Sequence, residues 1–227
     1  MQLLSWPPLA WSHIMVDLDI AEKDSTVCGV VLAGGQSRRF VRNKALAEVD
    51  GHTFIERVVG VLERLFPQVI LITNTPDAYA HLGLSMFSDI IPGLGPIGGI
   101  YTALVHLPTP YGFIVACDMP FLNLQLIRYQ VSLREGYAIV APRRDWRIEP
   151  LHTLYSRSCL EPFQEAVERG ERQIIRFYDK VRVRYVDEEE LRQWDPDCRS
   201  LANINTPEDI FPSPSQKKIT TRRNTVL

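Results

Sequence analysis

Short apolar runs and helical repeats alternate along most of the chain. Val27–Leu32 is wholly apolar and β-branched, and it ends in Ala33-Gly34-Gly35, the pattern of a buried strand entering a glycine turn. A polar, basic loop follows over 36–44. Thr53 and Glu56 then stand three apart, the spacing of a capping box. Behind them Ile55, Val58, Val59, Leu62, Leu65 and Phe66 recur at helical spacing until Pro67. Val69–Ile72 is a second strand and Leu84–Phe87 a short third.

Glycines and prolines dominate 92–99, and Tyr101–His106 is helical in pattern. Gly112–Cys117 is a fully apolar strand running straight into Asp118, and Asn123 is placed to cap the helix that follows. Ala138–Ala141 forms another strand. Ser158 and Glu161 make a second capping box, with Gly170 at the far end of its helix. Val181–Val186 alternates strictly, as an edge strand does.

Strands that are apolar throughout and alternate with helices indicate an α/β fold: a Rossmann-like, mostly parallel sheet sandwiched by helices, in a single domain. In such sheets ligands bind beyond the carboxyl ends of the strands. The Gly34-Gly35 turn and Asp118 both follow the last residues of apolar strands, so both belong on that rim. The domain spans 25–211. Residues 1–24 read as an N-terminal extension in which Met15 could equally open the chain, and 212–227 read as a disordered basic tail.

Composition removes several function classes. A net charge of -2 lacks the basic excess of a nucleic-acid binder. No stretch has the roughly 18 apolar residues of a membrane span. Cys28, Cys117, Cys159 and Cys198 stand far apart, which fits neither a zinc site nor a disulfide framework and suits a reducing, cytoplasmic setting.

The chemistry concentrates in Gly34-Gly35-Gln36-Ser37-Arg38-Arg39-Phe40-Val41-Arg42-Asn43-Lys44, one strand-to-helix connection with two glycines, three arginines and a lysine. Glycines let backbone N–H groups approach an anion, and the cations neutralise phosphate charge. A solvated basic loop has the same composition. Asp118, at a strand end, suits a hard oxygen ligand for Mg²⁺ and also a turn or cap aspartate. Asn205 is placed to cap a helix at Thr206-Pro207.

Leu32-Ala33-Gly34-Gly35-x-Ser37-x-Arg39 with Asn43-Lys44-Ala45-Leu46 resembles the opening signature of the molybdenum cofactor guanylyltransferases. Four further matches come in the family's order: Gly95-Pro96-Ile97-Gly98-Gly99, Cys117-Asp118-Met119-Pro120-Phe121-Leu122, Glu149-Pro150-Leu151-His152 and Asn203-Ile204-Asn205-Thr206-Pro207-Glu208. The resemblance covers about 26–210. Two positions depart from it: the family's glycine is Val41 here, and its aspartate is Asn43.

The resemblance implies a nucleotide-diphospho-sugar transferase type of fold. It also implies an Mg²⁺-dependent enzyme that moves GMP from GTP onto the phosphate of molybdopterin. Lys44 and Arg39, with Arg38, would neutralise the triphosphate, and Asp118 with Asn205 would hold Mg²⁺. Leu32, Ala33, Gly34 and Gly35 would line the guanine and ribose, and Asn74 and Asp89 would also touch the nucleotide. Glu149–His152, Arg172 and Arg176 are candidates for the acceptor side. Molybdoenzymes or cofactor-delivery proteins would be its protein partners. A CTP-using or other small-phosphate transferase of the same fold remains an alternative, as does a nucleotide-binding module impaired through Val41. Gly34 favours GTP, because it removes a methyl group that would crowd a purine.

Overall fold

The structure is a computed structural model that describes residues 22–34, 45, 48–49, 51–204 and 209. Ten strands and five helices lie in it. The strands are β1 (Val27–Leu32), β2 (Glu48–Val49), β3 (His52–Thr53), β4 (Val69–Ile72), β5 (Ser85–Phe87), β6 (Tyr111–Ala116), β7 (Ile139–Arg144), β8 (Arg147–Ile148), β9 (His152–Ser156) and β10 (Val183–Asp187). The helices are α1 (Phe54–Leu65), α2 (Pro96–His106), α3 (Leu124–Ser132), α4 (Leu160–Glu168) and α5 (Glu188–Trp194).

The main sheet has the order β10-β7-β9-β6-β1-β4-β5, with β8 paired to β7, while β2 and β3 form a separate small ribbon. Strand β1 pairs in parallel with β4 and β6, β5 extends this block from β4, and β10 lies parallel to β7. Strand β9 is antiparallel to both β6 and β7, and the short β8 is antiparallel to β7. The expected mostly parallel sheet is therefore present, with one central strand reversed.

Side chains of β1 alternate between two cores. Val27 and Val31 join the core beneath α1, α3 and α5; Cys28, Val30 and Leu32 join the core beneath α2 and α4. Because β1 is covered on both faces, it is apolar throughout rather than alternating. The Thr53–Glu56 capping box forms as expected: Glu56 N donates to Thr53 Oγ1 at 3.3 Å and Thr53 N to Glu56 Oε2 at 2.7 Å. Asn123 Oδ1 caps α3 through the N–H groups of Gln125 and Leu126.

Three expectations need correction. Helix α2 begins at Pro96, five residues before the expected Tyr101. Gly95 reaches the helix with φ +68, and a Cβ on Gly99 would lie 3.3 Å from the Leu32 side chain. Gly99 thus lets α2 pack against the end of β1, and Gly98 lets it approach Ile91 O and Leu94, each 3.2 Å from a would-be Cβ. The Ser158–Glu161 capping box does not form, because a 3-10 turn over Arg157–Cys159 precedes α4 and Ser156 Oγ takes the Ser158 N–H instead. The last strand starts at Val183, two residues after Val181.

Candidate active site

Strands β1 and β6 pair with Leu32 opposite Ala116, and the register continues past the strand ends through Cys117 N to Leu32 O at 3.1 Å. Ala33 N donates to Ile72 O and Thr73 N to Phe87 O, both at 2.9 Å. The carboxyl ends of β5, β4, β1 and β6 are thus laced into one continuous rim, which β9 joins by its amino end. Along it stand Asp89, Asn74, Gly34, Asp118 and Glu149 in that order. Four strand spacings of about 4.8 Å make this row roughly 19 Å long. The sheet's topology alone collects most of the predicted site.

Asp118 sits where the chain leaves β6, and its carbonyl accepts the Ile204 N–H at 2.9 Å, which brings the 203–204 segment onto the rim. Glu149 lies beside it. Burial pushes the Glu149 carboxyl up to about 7 and the charge of Asp118 adds to this, while the Leu151 N–H (3.1 Å) and Arg144 act in the opposite direction. Two carboxyl groups in electrostatic contact at a strand-end rim are an environment that a cation relieves.

Gly34 is exposed, and a Cβ added there would meet no atom of the described residues within 4 Å. Asn74 and Asp89 hold each other: Asn74 Nδ2 donates to Asp89 Oδ2 at 2.8 Å and Asp89 N to Asn74 Oδ1 at 2.9 Å. This closed pair fixes the exits of β4 and β5. Leu32 and Ala33 are buried at the base of the rim. Gly35, Arg38, Arg39, Val41, Asn43, Lys44 and Asn205 lie outside the described residues, as do the segments 1–21 and 212–227.

One acceptor-side expectation changes. His152 is wholly buried, edge-on to Phe113 at 5.3 Å, and its ring nitrogens have no hydrogen-bond partner. Burial lowers its pKa to about 4, so it is neutral and touches nothing on the rim surface. It is neither an acceptor contact nor a hydrogen-bonded structural histidine. Arg176 is tied to Glu171 at 3.2 Å and to Gln173 at 2.9 Å.

A buried hydroxyl network absent from the sequence reading holds the Glu149 turn instead. Tyr155 Oη donates to Pro150 O at 2.9 Å and lies 2.7 Å from Tyr178 Oη; Thr153 Oγ1 donates to Glu149 O at 2.7 Å; Glu149 N donates to Pro142 O at 3.0 Å. Arg199 was also unforeseen. Its guanidinium lies 3.7 Å above the ring of Phe121, in the loop that follows Asp118, with Arg57 at 5.9 Å.

A protein-family model described as the MobA-like NTP transferase domain matches residues 29–183, a span that includes Gly34, Asp118 and Glu149. The chain belongs to this family. It is a nucleotidyltransferase, and its fold accords with that. The chain is 40% identical over 182 residues to the "Probable molybdenum cofactor guanylyltransferase" of Pelotomaculum thermopropionicum, covering 80% of this chain and 89% of that one. The "Molybdenum cofactor guanylyltransferase" of Desulfosudis oleivorans is 37% identical over 186 residues, covering 81% and 92%. Among solved structures, the molybdopterin-guanine dinucleotide biosynthesis protein A of Archaeoglobus fulgidus superposes with a TM-score of 0.70 at 26% identity, covering 86% of this chain and 98% of that one.

No cluster of three or more His, Cys, Asp or Glu able to hold a metal exists among the described residues of the transferase. No helix among the described residues is long and apolar enough to cross a membrane.

Proposed function

We propose that this transferase moves a guanylyl group from GTP onto the terminal phosphate of molybdopterin, giving molybdopterin guanine dinucleotide and pyrophosphate. The observation that carries the reading is the rim itself. Exposed backbone at Gly34 stands at the end of the strand next to that of Asp118, and a second carboxyl group, on Glu149, is in electrostatic contact with Asp118. The names of relatives that align along about four-fifths of the chain support guanylyl transfer.

The acceptor phosphate is largely ionised at neutral pH and needs no general base. One of its oxygens attacks the α-phosphorus of GTP, the bond from that phosphorus to the bridging α–β oxygen breaks, and pyrophosphate leaves. The task of the protein is positioning and charge compensation. The strand-end backbone at Leu32–Gly34 bounds the nucleoside subsite, with the Asn74–Asp89 pair fixing the neighbouring strand exits. The cations of the 35–44 loop, Lys44 and Arg39 foremost, would offset charge on the triphosphate. Asp118, with Asn205, would hold Mg²⁺, which offsets charge on the phosphate oxygens when bound. The Glu149-Pro150 turn, braced by Thr153 and Tyr155, walls the acceptor side. The cytoplasm is where we place this activity; Cys28 and Cys159, raised to about 12 by burial, are unreactive core thiols there.

The test is pyrophosphate release with molybdopterin as acceptor and GTP, CTP or ATP as donor. Turnover with GTP alone, and a product carrying guanine, is the expected result. Preference for CTP would end the guanylyl assignment.

A further inference from the structure

The β7–β8 hairpin rises from the acceptor half of the rim and turns through only two residues, Asp145 and Trp146, with Arg144 paired to Arg147. Both turn residues have positive φ, 47° and 65°. A two-residue turn of this hand normally takes Asn-Gly or Asp-Gly, because side chains are strained there. This chain places tryptophan at the position that suits glycine.

Strain of this kind points to a use for the side chain. Trp146 is 90% exposed, more than any other large apolar residue described. Trp194, by contrast, stacks on Tyr129 at 5.3 Å.

The exposed indole has a built support. Arg143 donates to both carboxylate oxygens of Asp187, at 2.7 and 3.0 Å, so its planar guanidinium is fixed. That guanidinium lies 4.6 Å from the centre of the Tyr185 ring and 6.0 Å from that of Trp146. Tyr185, Arg143 and Trp146 form a ladder whose top rung faces solvent. Trp146 is three residues from Glu149, at most about 10 Å along extended chain. The ladder thus stands beside the acceptor side of the rim.

We infer that Trp146 is a stacking platform for the fused heteroaromatic ring of the acceptor. This inference rests on the transferase reading above and names a contact that the reading lacked. A flat π-face backed by a fixed cation suits a planar, polar ring system. A docked protein would need a contiguous apolar patch. The other exposed large apolar side chains described, Ile90, Ile175 and Trp194, lie on separate elements and form no such patch with Trp146.

The experiment is steady-state pyrophosphate release by the full chain with saturating Mg-GTP and varied molybdopterin. Trp146→Ala should raise the KM for molybdopterin about 5- to 150-fold, the range expected for loss of one aromatic stack. Both kcat and the KM for GTP should stay within about twofold, and Trp146→Phe should recover part of the loss. Trp146→Gly relieves the turn, so its Tm should equal or exceed that of the wild type while its KM for molybdopterin still rises. A KM for molybdopterin unchanged in Trp146→Ala would overturn the platform and leave the transferase reading standing. Equal losses for both substrates, with a lowered Tm in all three variants, would mark Trp146 as structural only. If the wild type transfers GMP to no pterin, both the reading and the platform fall together.

Discussion

On the β5-β4-β1-β6 side of the sheet, parallel strands run outward and deliver their last residues directly to the rim. On the β9-β7-β10 side, β9 runs the other way, and its approach to the rim is fastened by buried side chains as well as by the backbone bonds of Ala116 N to Leu151 O at 3.2 Å and Glu149 N to Pro142 O at 3.0 Å. Among the described residues the first side is open: no atom of theirs lies within 4 Å of a would-be Cβ on Gly34, and Asn74 and Asp89 pair at the surface. The second is closed: Thr153, Tyr155 and Tyr178 are buried and bond to the Glu149-Pro150 turn or to each other. An open half suits a nucleotide gripped mainly by backbone and by a loop. A braced half suits an acceptor that must be held in line for attack, where misplacement by about 1 Å can cost 10²-fold in rate. Asp118 lies at the seam between the two.

The largest break of this division is at the seam. Asp118→Ala should lower kcat about 10²- to 10³-fold, as loss of one preorganised electrostatic contact does, with the fold intact by circular dichroism. An unchanged rate would remove Asp118 from the chemistry. On the braced side, Tyr155→Phe leaves the Pro150 carbonyl unpaired, costing about 1–3 kcal/mol in chemical denaturation. It should raise the KM for the acceptor while leaving that for GTP alone. A shift in the GTP value instead would show that the two halves do not divide the substrates.

His152 sharpens the contrast, since it is buried in the braced half without serving the site. The unfolded chain protonates it below about pH 6.5, the folded chain only below about 4. Protons therefore bind preferentially to the unfolded state in that window, and stability falls as the pH drops through it. Glu149 opposes this between about 4.5 and 7, because the folded state holds its proton longer. Comparing His152→Leu with the wild type isolates the histidine: the variant should lack that acid-side loss and keep its kinetics at pH 7.5. Reduced affinity for the acceptor would return His152 to the binding surface.

The smallest effect belongs to the open half. Asn74→Ala should cost under about 1 kcal/mol in stability, as exposed pairs do, and raise the KM for GTP a few-fold. An effect confined to the acceptor would reverse the assignment of the two sides.

The open half was the more legible in sequence. Its strands are buried on both faces, so Val27–Leu32 and Val69–Ile72 announced themselves as apolar runs, and the Thr53–Glu56 box marked the start of α1 by spacing alone. Asp118 followed because it ends an apolar strand. The braced half depends on long-range contacts that spacing does not record. Nothing local distinguishes the reversed β9 from a parallel strand, nor tells that Tyr155 meets Tyr178 across 23 positions. The start of α2 at Pro96 was not legible among the glycines and prolines of 92–99, because the close approach of Gly99 to Leu32 is a tertiary contact. Trp146 carried a signal that could have been used: an Asp-Trp pair between two arginines, flanked by strand residues, is an unusual tight turn.

The central claim is that a metal-bound nucleotide sits on the rim at Asp118. Calorimetric titration of GTP into the wild type and Asp118→Ala, each with and without Mg²⁺, tests it most directly. Mg²⁺ should tighten GTP binding at least about tenfold in the wild type and much less in the variant. Equal tightening in both proteins would place the metal elsewhere and contradict the account.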